Sequence, residues 1–278
     1  MACRHYPLVT HGARDAPIGV FDSGLGGLTV VHALRERLPA ESLVYVGDTA
    51  RIPYGPKSPD TVRRYAKQIA EFLVEQGVKA IVVACNTATA HALDALRETV
   101  SVPVIGVIAP GARAAARSSR GGPVGVIGTA GTIASGAYER AIHAENSSIE
   151  VRAVACPLFV PLVEEGWVDH LATRLIAHEY LAPLRLAHVD TLVLGCTHYP
   201  LLAPTLQAEM GADVRLIDSA AETAAATLQL LSERELLRAP THLPVHRFIA
   251  SDAPERFLTL GRRFLGSTIT NVEHIAFA

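Results

Sequence analysis

The chain has no large excess of charge of either sign and no long apolar run. Its 25 Lys and Arg residues are balanced by 27 Asp and Glu residues, for a formal net charge of −2. Such a balance gives no electrostatic footprint for nucleic acid or for an anionic membrane surface. No apolar run approaches the length of a membrane span, and residues 1–7 lack the apolar core of a signal peptide. The sequence therefore predicts a cytoplasmic protein with neither a nucleic-acid nor a membrane partner.

Cysteine is also scarce, and its spacing excludes further classes. The four cysteines, Cys3, Cys85, Cys156 and Cys196, form no C-x-x-C pair and no dense cluster, which argues against a disulfide framework. The 12 histidines are scattered without an H-E-x-x-H motif or a Cys/His cluster, so the sequence predicts no metal site. Cys3 and Cys156 are interpreted as ordinary small apolar residues.

Several catalytic signatures are missing as well. There is no G-x-S-x-G motif of a serine hydrolase. The only lysines are Lys57, Lys67 and Lys79, and two of them lie at apparently solvated positions, which disfavours a pyridoxal enzyme. The glycine-rich loop after residue 21 has Thr29 where a dinucleotide-binding motif needs its third glycine, and Asp22 where a pyrophosphate would approach.

What the chain does contain is two pairs of similar segments. An apolar run ending in cysteine occurs at 80–87 (AIVVACNT) and again at 191–198 (TLVLGCTH). A short strand followed by a small polar loop begins at Ile18 and again at Val124, 106 positions later, while Cys85 and Cys196 lie 111 positions apart. Two independent repeats at nearly the same offset indicate an internal duplication.

Strand and helix patterns alternate along both halves, which predicts an α/β fold with mainly parallel sheets. With the duplication, we expect two similar doubly wound domains related by an approximate two-fold axis. The first domain comprises residues 1–108 plus 219–278, and the second comprises residues 109–218. Ligands in such sheets bind beyond the carboxyl ends of the strands, so the active site is expected in the cleft between the domains.

The two cysteines carry the predicted chemistry. Each stands at the carboxyl end of an apolar run, so the facing domains would bring one thiol to each side of the cleft. A helix is predicted to start at Asn86 and Thr87, and its positive end would favour a thiolate on Cys85. A thiolate on one face of a substrate and a thiol on the other can remove a proton and return it from the opposite side, which inverts a stereocentre.

Two other functions would each account for only part of this pattern. A cysteine hydrolase could use Cys196 with His198, but it leaves the duplicated Cys85 unexplained. A non-catalytic two-domain protein that clamps a small acid would have no use for a cysteine at both strand ends.

Seven short motifs connect the chain to a known family. With these motifs, the chain resembles the cofactor-independent aspartate/glutamate racemases from residue 18 to about residue 265. The motifs are GVFDSGLGG at 19–27, GDT at 47–49, PYG at 53–55, ACNTA at 84–88, IGT at 127–129, GT at 131–132 and LGCTHYPLL at 194–202.

The resemblance implies interconversion of L- and D-glutamate without a cofactor, supplying D-glutamate for peptidoglycan. It implies that Cys85 deprotonates the D-enantiomer with help from Asp22. Cys196 would deprotonate the L-enantiomer with help from His198 and from Glu164, which is preferred over Glu165. Both acids end a proline-broken apolar segment at 157–166.

The resemblance also implies contacts with a small-molecule substrate, glutamate, and we expect a homodimer. The expected substrate contacts are Asp22, Ser23, Tyr54, Gly55, Asn86, Thr87, Thr129, Thr132, Thr197 and His198. Aspartate racemase is the alternative within the family. Since aspartate racemases tend to carry an acid at the position of His198, the histidine favours glutamate. An arylmalonate-decarboxylase-like enzyme would keep only one cysteine.

Overall fold

A computed structural model describes residues 13–240, 243–265 and 269–277. Cys3 therefore lies outside the described residues. The strands in this part of the chain are β1 (Ile18–Asp22), β2 (Leu43–Gly47), β3 (Ala80–Val83), β4 (Val104–Gly106), β5 (Val124–Gly128), β6 (Val151–Ala155), β7 (Thr191–Gly195), β8 (Arg215–Asp218), β9 (His246–Ala250) and β10 (Glu273–His274). The α-helices are α1 (Leu28–Arg37), α2 (Pro59–Glu75), α3 (Asn86–Thr99), α4 (Ile108–Ser118), α5 (Ala130–Ala134), α6 (Ala137–Glu145), α7 (Phe159–Glu164), α8 (Leu171–Leu186), α9 (Ala203–Met210), α10 (Ser219–Glu233) and α11 (Pro254–Leu265).

The strands form two parallel sheets. The first has the order β10-β9-β2-β1-β3-β4 and the second the order β6-β5-β7-β8. We call the parts of the chain built on the first and the second sheet the first and the second half. In each half, the first strand in chain order lies between the second and the third, and the fourth strand pairs with the outer edge of the third. The predicted α/β fold with two mainly parallel sheets is confirmed, and the shared strand order is what a duplication would leave. The domain boundaries proposed from the sequence stay predictions.

The central strands β1, β3, β5 and β7 are buried because they are apolar on both faces. In the first sheet, Val20 and Val82 pack into one core cluster, whereas their neighbours Phe21 and Val83 pack into another. This alternation follows from the two-residue period of a strand, whose successive side chains point to opposite faces. Only a sheet covered by helices on both sides buries both sets.

The chain crosses between the halves twice. After β4 it enters α4, which packs against α6 and β7 of the second half, and after β8 it enters α10, which packs against α1 of the first. The tail then adds β9 and β10 to the free edge of β2. The crossings place the carboxyl ends of β1 and β3 opposite those of β5 and β7. Among the described residues, no helix has both the length and the apolar character that a bilayer crossing requires.

Candidate active site

A cavity between the halves gathers most of the residues singled out from the sequence. Its lining consists of Asp22, Ser23, Ile52, Pro53, Tyr54, Gly55, Cys85, Asn86, Thr87, Thr129, Val160, Cys196, Thr197 and His198. Of the predicted site residues, Thr132 and Glu164 lie outside this lining, and each hydrogen-bonds to a residue within it. Ile52, Pro53 and Val160 were not among the predicted site residues. Val160 lies in the apolar segment at 157–166, whose position beside the cavity depends on tertiary packing.

Cys85 lies at the start of α3, where its Sγ accepts a hydrogen bond from the Ala88 N–H at 3.4 Å. The thiol also lies 3.6 Å from the Ser23 hydroxyl, to which it can donate. Burial and, after it, the charge of the neighbouring Asp22 raise the pKa of Cys85 to about 12, although hydrogen bonds with Ala88 and Ser23 lower it. The Cys85 thiolate predicted from the helix start is therefore wrong, because burial and Asp22 raise the pKa more than the hydrogen bond from the helix start lowers it.

Asp22 is buried at the end of β1 and accepts a hydrogen bond from the Gly24 N–H at 2.9 Å. Burial raises the pKa of this carboxyl, opposed by the charge of His198 and by backbone hydrogen bonds from the loop that follows. Because the side chain faces both Cys85 and His198, it can influence the proton on either thiol.

Cys196 has a histidine and an acid behind it. The His198 Nδ1 atom lies 3.8 Å from the Cys196 Sγ atom, and the His198 Nε2 atom lies 3.1 Å from Glu164 Oε1. Burial opposes a charge on the ring, but hydrogen bonds with Cys196 and Glu164 and the charges of Cys196 and Asp22 raise the pKa of His198 to about 10. A protonated ring can therefore donate to a Cys196 thiolate and to Glu164 at once. Glu165 points to the surface, where it faces Arg256.

A cluster of hydroxyl groups joins the halves beside the thiols. Thr87 Oγ1 lies 2.8 Å from Thr129 Oγ1 and 3.1 Å from Thr132 Oγ1, and the last two lie 3.0 Å apart. Thr87 is in the first turn of α3, and Thr129 caps α5. Hydroxyl groups and unpaired N–H groups of a helix start are suited to hold a carboxylate.

The loop that carries Tyr54 is held by an acid that the sequence did not assign to the site. Asp48 is fully buried, and its Oδ2 accepts hydrogen bonds from the Tyr54 hydroxyl at 2.5 Å and from Arg51 Nε at 2.8 Å. Its Oδ1 accepts from the Ser251 hydroxyl at 2.8 Å. Since the Tyr54 hydroxyl already donates its proton to Asp48, it could serve a substrate only as an acceptor.

Glycine allows the two halves to meet closely around the site. A Cβ atom at Gly26 would lie 2.3 Å from His198 Nδ1 and 2.6 Å from Thr197 Oγ1. Nearby, the Thr29 hydroxyl donates to the Thr197 carbonyl at 3.1 Å. The start of α1 therefore packs directly against the loop that holds Cys196.

Within the described residues, no group of three or more His, Cys, Asp and Glu side chains is arranged to hold a metal ion. Cys85, Cys156 and Cys196 are all buried and free. Of these three, Cys85 and Cys196 line the cavity and Cys156 does not. The arrangement can place two thiols, one from each half, against a small carboxylic acid.

Comparison with known proteins identifies a family and several relatives. Residues 18–227 match the family model described as Asp/Glu/Hydantoin racemase. A glutamate racemase from Geobacter metallireducens is 54% identical over 259 residues, which cover 93% of this chain and 96% of that protein. The crystal structure of a glutamate racemase isoform from Bacillus anthracis matches with a TM-score of 0.89 and 42% identity, covering 95% of this chain and 98% of the other. A glutamate racemase from Francisella tularensis in complex with D-glutamate gives the same TM-score, identity and coverage.

Proposed function

The chain belongs to the Asp/Glu/hydantoin racemase family, and on this premise we propose that Cys85 and Cys196 act as opposed acid and base thiols. Its activity is the racemisation of glutamate, since the relatives that match it over most of its length at 50% identity or more are glutamate racemases. The observation that carries the mechanism is that two buried, free cysteines from opposite halves line one cavity. Each thiol would serve one face of the α-carbon.

In the direction from L- to D-glutamate, the Cys196 thiolate takes the α-proton and the C–H bond breaks. The electron pair of that bond delocalises into the adjacent carboxylate group. The Cys85 thiol then gives its proton to the opposite face of the α-carbon, so Cys196 ends as a thiol and Cys85 as a thiolate. Proton exchange with solvent, or a turnover in the reverse direction, restores the first state.

The protonation of Cys85 and His198 supports a reaction that starts from L-glutamate. The pKa of about 12 keeps Cys85 protonated at neutral pH, and the pKa of about 10 keeps His198 charged. A charged ring 3.8 Å from the Cys196 Sγ atom would stabilise negative charge on that sulfur during the reaction. We therefore propose that Cys85 supplies the acid and Cys196 the base when the reaction starts from L-glutamate.

Stabilisation of the intermediate falls to the donors around the cavity. Hydrogen-bond donors from both halves would hold the α-carboxylate of the substrate. These donors are the hydroxyl groups of Ser23, Thr87, Thr129 and Thr197 and the amide of Asn86, and Thr132 supports the hydroxyl cluster. Charge develops on that carboxylate when the α-proton leaves, so donors fixed before the reaction lower its barrier. Tyr54 and Gly55 would close the cavity beside this cluster, where the Gly131 N–H donates to the Gly55 carbonyl at 2.9 Å.

We further propose that the protein works in the cytoplasm as a homodimer and supplies D-glutamate for peptidoglycan. The D-enantiomer that the reaction produces supports the last of these roles. Light scattering on the purified chain tests the dimer, and growth of a strain depleted of the enzyme with and without added D-glutamate tests the supply.

The two-base mechanism is tested by single substitutions in deuterated water. Cys85→Ala and Cys196→Ala should each slow racemisation about a hundredfold to ten-thousandfold, as loss of an acid or base does. Cys156→Ala is the matched control, because Cys156 is also buried and free but does not line the cavity. D-Glutamate formed from L-glutamate should carry deuterium at the α-carbon, since its proton comes from the second thiol.

Retention of the α-proton in the product, or normal activity of either active-site variant, would overturn this mechanism. The same assay with L-aspartate separates the alternative substrate, for which we expect no turnover at concentrations where L-glutamate reacts.

A further inference from the structure

Tyr138 makes a contact between the halves that the mechanism above leaves unused. It lies in the first turn of α6, in the second half, and is only 3% exposed. Its hydroxyl donates a hydrogen bond to Asn86 Oδ1 at 2.7 Å. Asn86 belongs to the first half and directly follows Cys85, so this bond reaches across to the neighbour of one thiol.

The ring of Tyr138 also touches the strand that ends at the other thiol. A Cβ atom at Gly195 would lie 3.0 Å from Tyr138 Cε2, so the ring packs on the bare backbone of Gly195. Gly195 directly precedes Cys196. One rigid side chain therefore contacts the backbone beside Cys196 and the side chain beside Cys85.

The Asn86 amide has an unfilled hydrogen-bonding group. Its Nδ2 atom is buried and has no hydrogen-bond partner among the described residues, while Asn86 itself is 3% exposed and lines the cavity. Buried amide groups in folded proteins almost always have partners, and an NH2 group needs an acceptor. A substrate carboxylate in the cavity would supply one.

Tyr138 determines which end of that amide is free. A terminal amide can turn by half a rotation about its last bond, which exchanges its oxygen and nitrogen. Burial raises the pKa of the Tyr138 phenol and so keeps it protonated. The Ser219 hydroxyl donates a hydrogen bond to the phenol oxygen, which opposes this rise. Because the phenol oxygen accepts from Ser219, the phenol proton donates to Asn86 Oδ1. The Asn86 Nδ2 atom therefore lies on the side of the amide that does not contact the Tyr138 hydroxyl.

We propose that Tyr138 is a positioning residue for racemisation, whose hydroxyl fixes the Asn86 amide so that its NH2 group donates to the substrate carboxylate. This inference rests on the proposed function, because it takes Asn86 as a substrate contact. The carboxylate is common to both enantiomers, so Tyr138 acts on the binding of each to the same degree.

The test is Tyr138→Phe, which removes the hydroxyl and leaves the ring packed on Gly195. We expect KM to rise about threefold to tenfold for both enantiomers, the effect of one lost hydrogen bond. The value of kcat should fall by a smaller factor in both directions, because the Asn86 amide also stabilises the charge that develops on this carboxylate. Circular dichroism of the reacting glutamate gives both constants in both directions.

A double-mutant cycle separates positioning from general loosening of the fold. In an Asn86→Ala background, adding Tyr138→Phe should raise KM by less than about 1.5-fold, since the amide it orients is gone. Tyr199→Phe is the matched control, because the Tyr199 hydroxyl is also buried and donates to the Cys156 carbonyl at 2.8 Å. That variant should lower the thermal midpoint without raising KM.

Independent, additive effects of Tyr138→Phe and Asn86→Ala on KM would overturn the inference. So would an unchanged KM in Tyr138→Phe, or a fall in kcat alone. If these results appear in an enzyme that racemises glutamate and is inactivated by Cys85→Ala, only the role of Tyr138 fails. Absence of racemisation in the unaltered chain would overturn the proposed function and this inference together.

Discussion

At the scale of single residues, His198 makes the two thiols chemically unequal. Cys196 has a charged ring and Glu164 behind it, whereas Cys85 has Asp22 and the Ser23 hydroxyl. A cation favours a thiolate and a buried carboxylate disfavours one. The asymmetry therefore comes from the neighbours of the cysteines and not from the cysteines themselves.

Replacing His198 should affect the two directions differently. His198→Asn is expected to lower kcat from L- to D-glutamate about tenfold or more, and to lower kcat in the reverse direction less, because the starting Cys196 thiolate loses its cation. The ratio kcat/KM must fall equally in both directions, because free L- and D-glutamate have the same free energy. Initial rates measured from each pure enantiomer check both statements.

A pair of neighbouring acids provides the control for this prediction. Glu164→Gln should share part of the His198→Asn effect, and Glu165→Gln should match the unaltered enzyme, since Glu165 faces Arg256 at the surface. An equal loss of kcat in both directions for His198→Asn, with weaker binding, would instead make His198 a binding residue.

The raised pKa of His198 also predicts how stability depends on pH. Because its pKa is about 10 in the folded chain and about 6.5 in a model peptide, the folded state holds the proton more tightly. This stabilisation is complete below pH 6.5, declines as the pH rises from 6.5 to 10, and is absent above that. The midpoint of urea unfolding should therefore show an advantage of the unaltered chain over His198→Asn that shrinks across this range. An advantage that grows with pH would contradict the assigned direction.

The protonation of Cys85 illustrates what single residues in the sequence could and could not predict. Its position between the end of a strand and the start of a helix could be predicted from the sequence, because the apolar run and the polar residues after it are local signals. Its high pKa was not, since burial and the approach of Asp22 depend on segments far apart in the chain. Asp48 was missed for the same reason, because Tyr54, Arg51 and Ser251 converge on it only after folding.

At the scale of elements, the start of α1 controls how closely the halves meet. Gly26→Ala should lower kcat about tenfold or more, because its methyl group would displace the His198 ring and the Thr197 hydroxyl. Gly211→Ala is the control. Gly211 has a φ of 88° with open space around it, so the substitution should cost about 1 kcal/mol of stability through backbone strain while kcat stays unchanged. A normal kcat in Gly26→Ala would contradict this prediction, because it would show that His198 and Thr197 can move aside without loss of activity.

Helix α7 shows where local patterns misled. The prolines at 157 and 161 predict a broken segment, yet Phe159–Glu164 is helical. Pro161 lies in the first turn, where a helix has no need of its N–H, so it is tolerated. That short helix brings Glu164 to His198 and Val160 to the cavity. The sequence predicted a role for Glu164 only through the resemblance of the chain to a known family.

At the scale of the whole molecule, the two cysteine strands occupy matching places in matching sheets. Cys85 follows β3 and Cys196 follows β7, each of which pairs with the first strand of its half. This arrangement was accessible from the sequence because repeated segments in one chain imply repeated folds. The added strands β9 and β10 had no repeated partner in the sequence, so only the structure shows that β9 pairs with β2 and that β10 pairs with β9.

The two crossings of the chain between the halves have a further consequence. Two separate copies of a half would have to find each other in solution, and a stable pair would need a broad apolar interface. Joined covalently, the halves meet at a high effective concentration that is set by the connections and is independent of dilution. The contact can then consist of threonine, asparagine and glycine, and a surface of this kind can also accept a charged substrate.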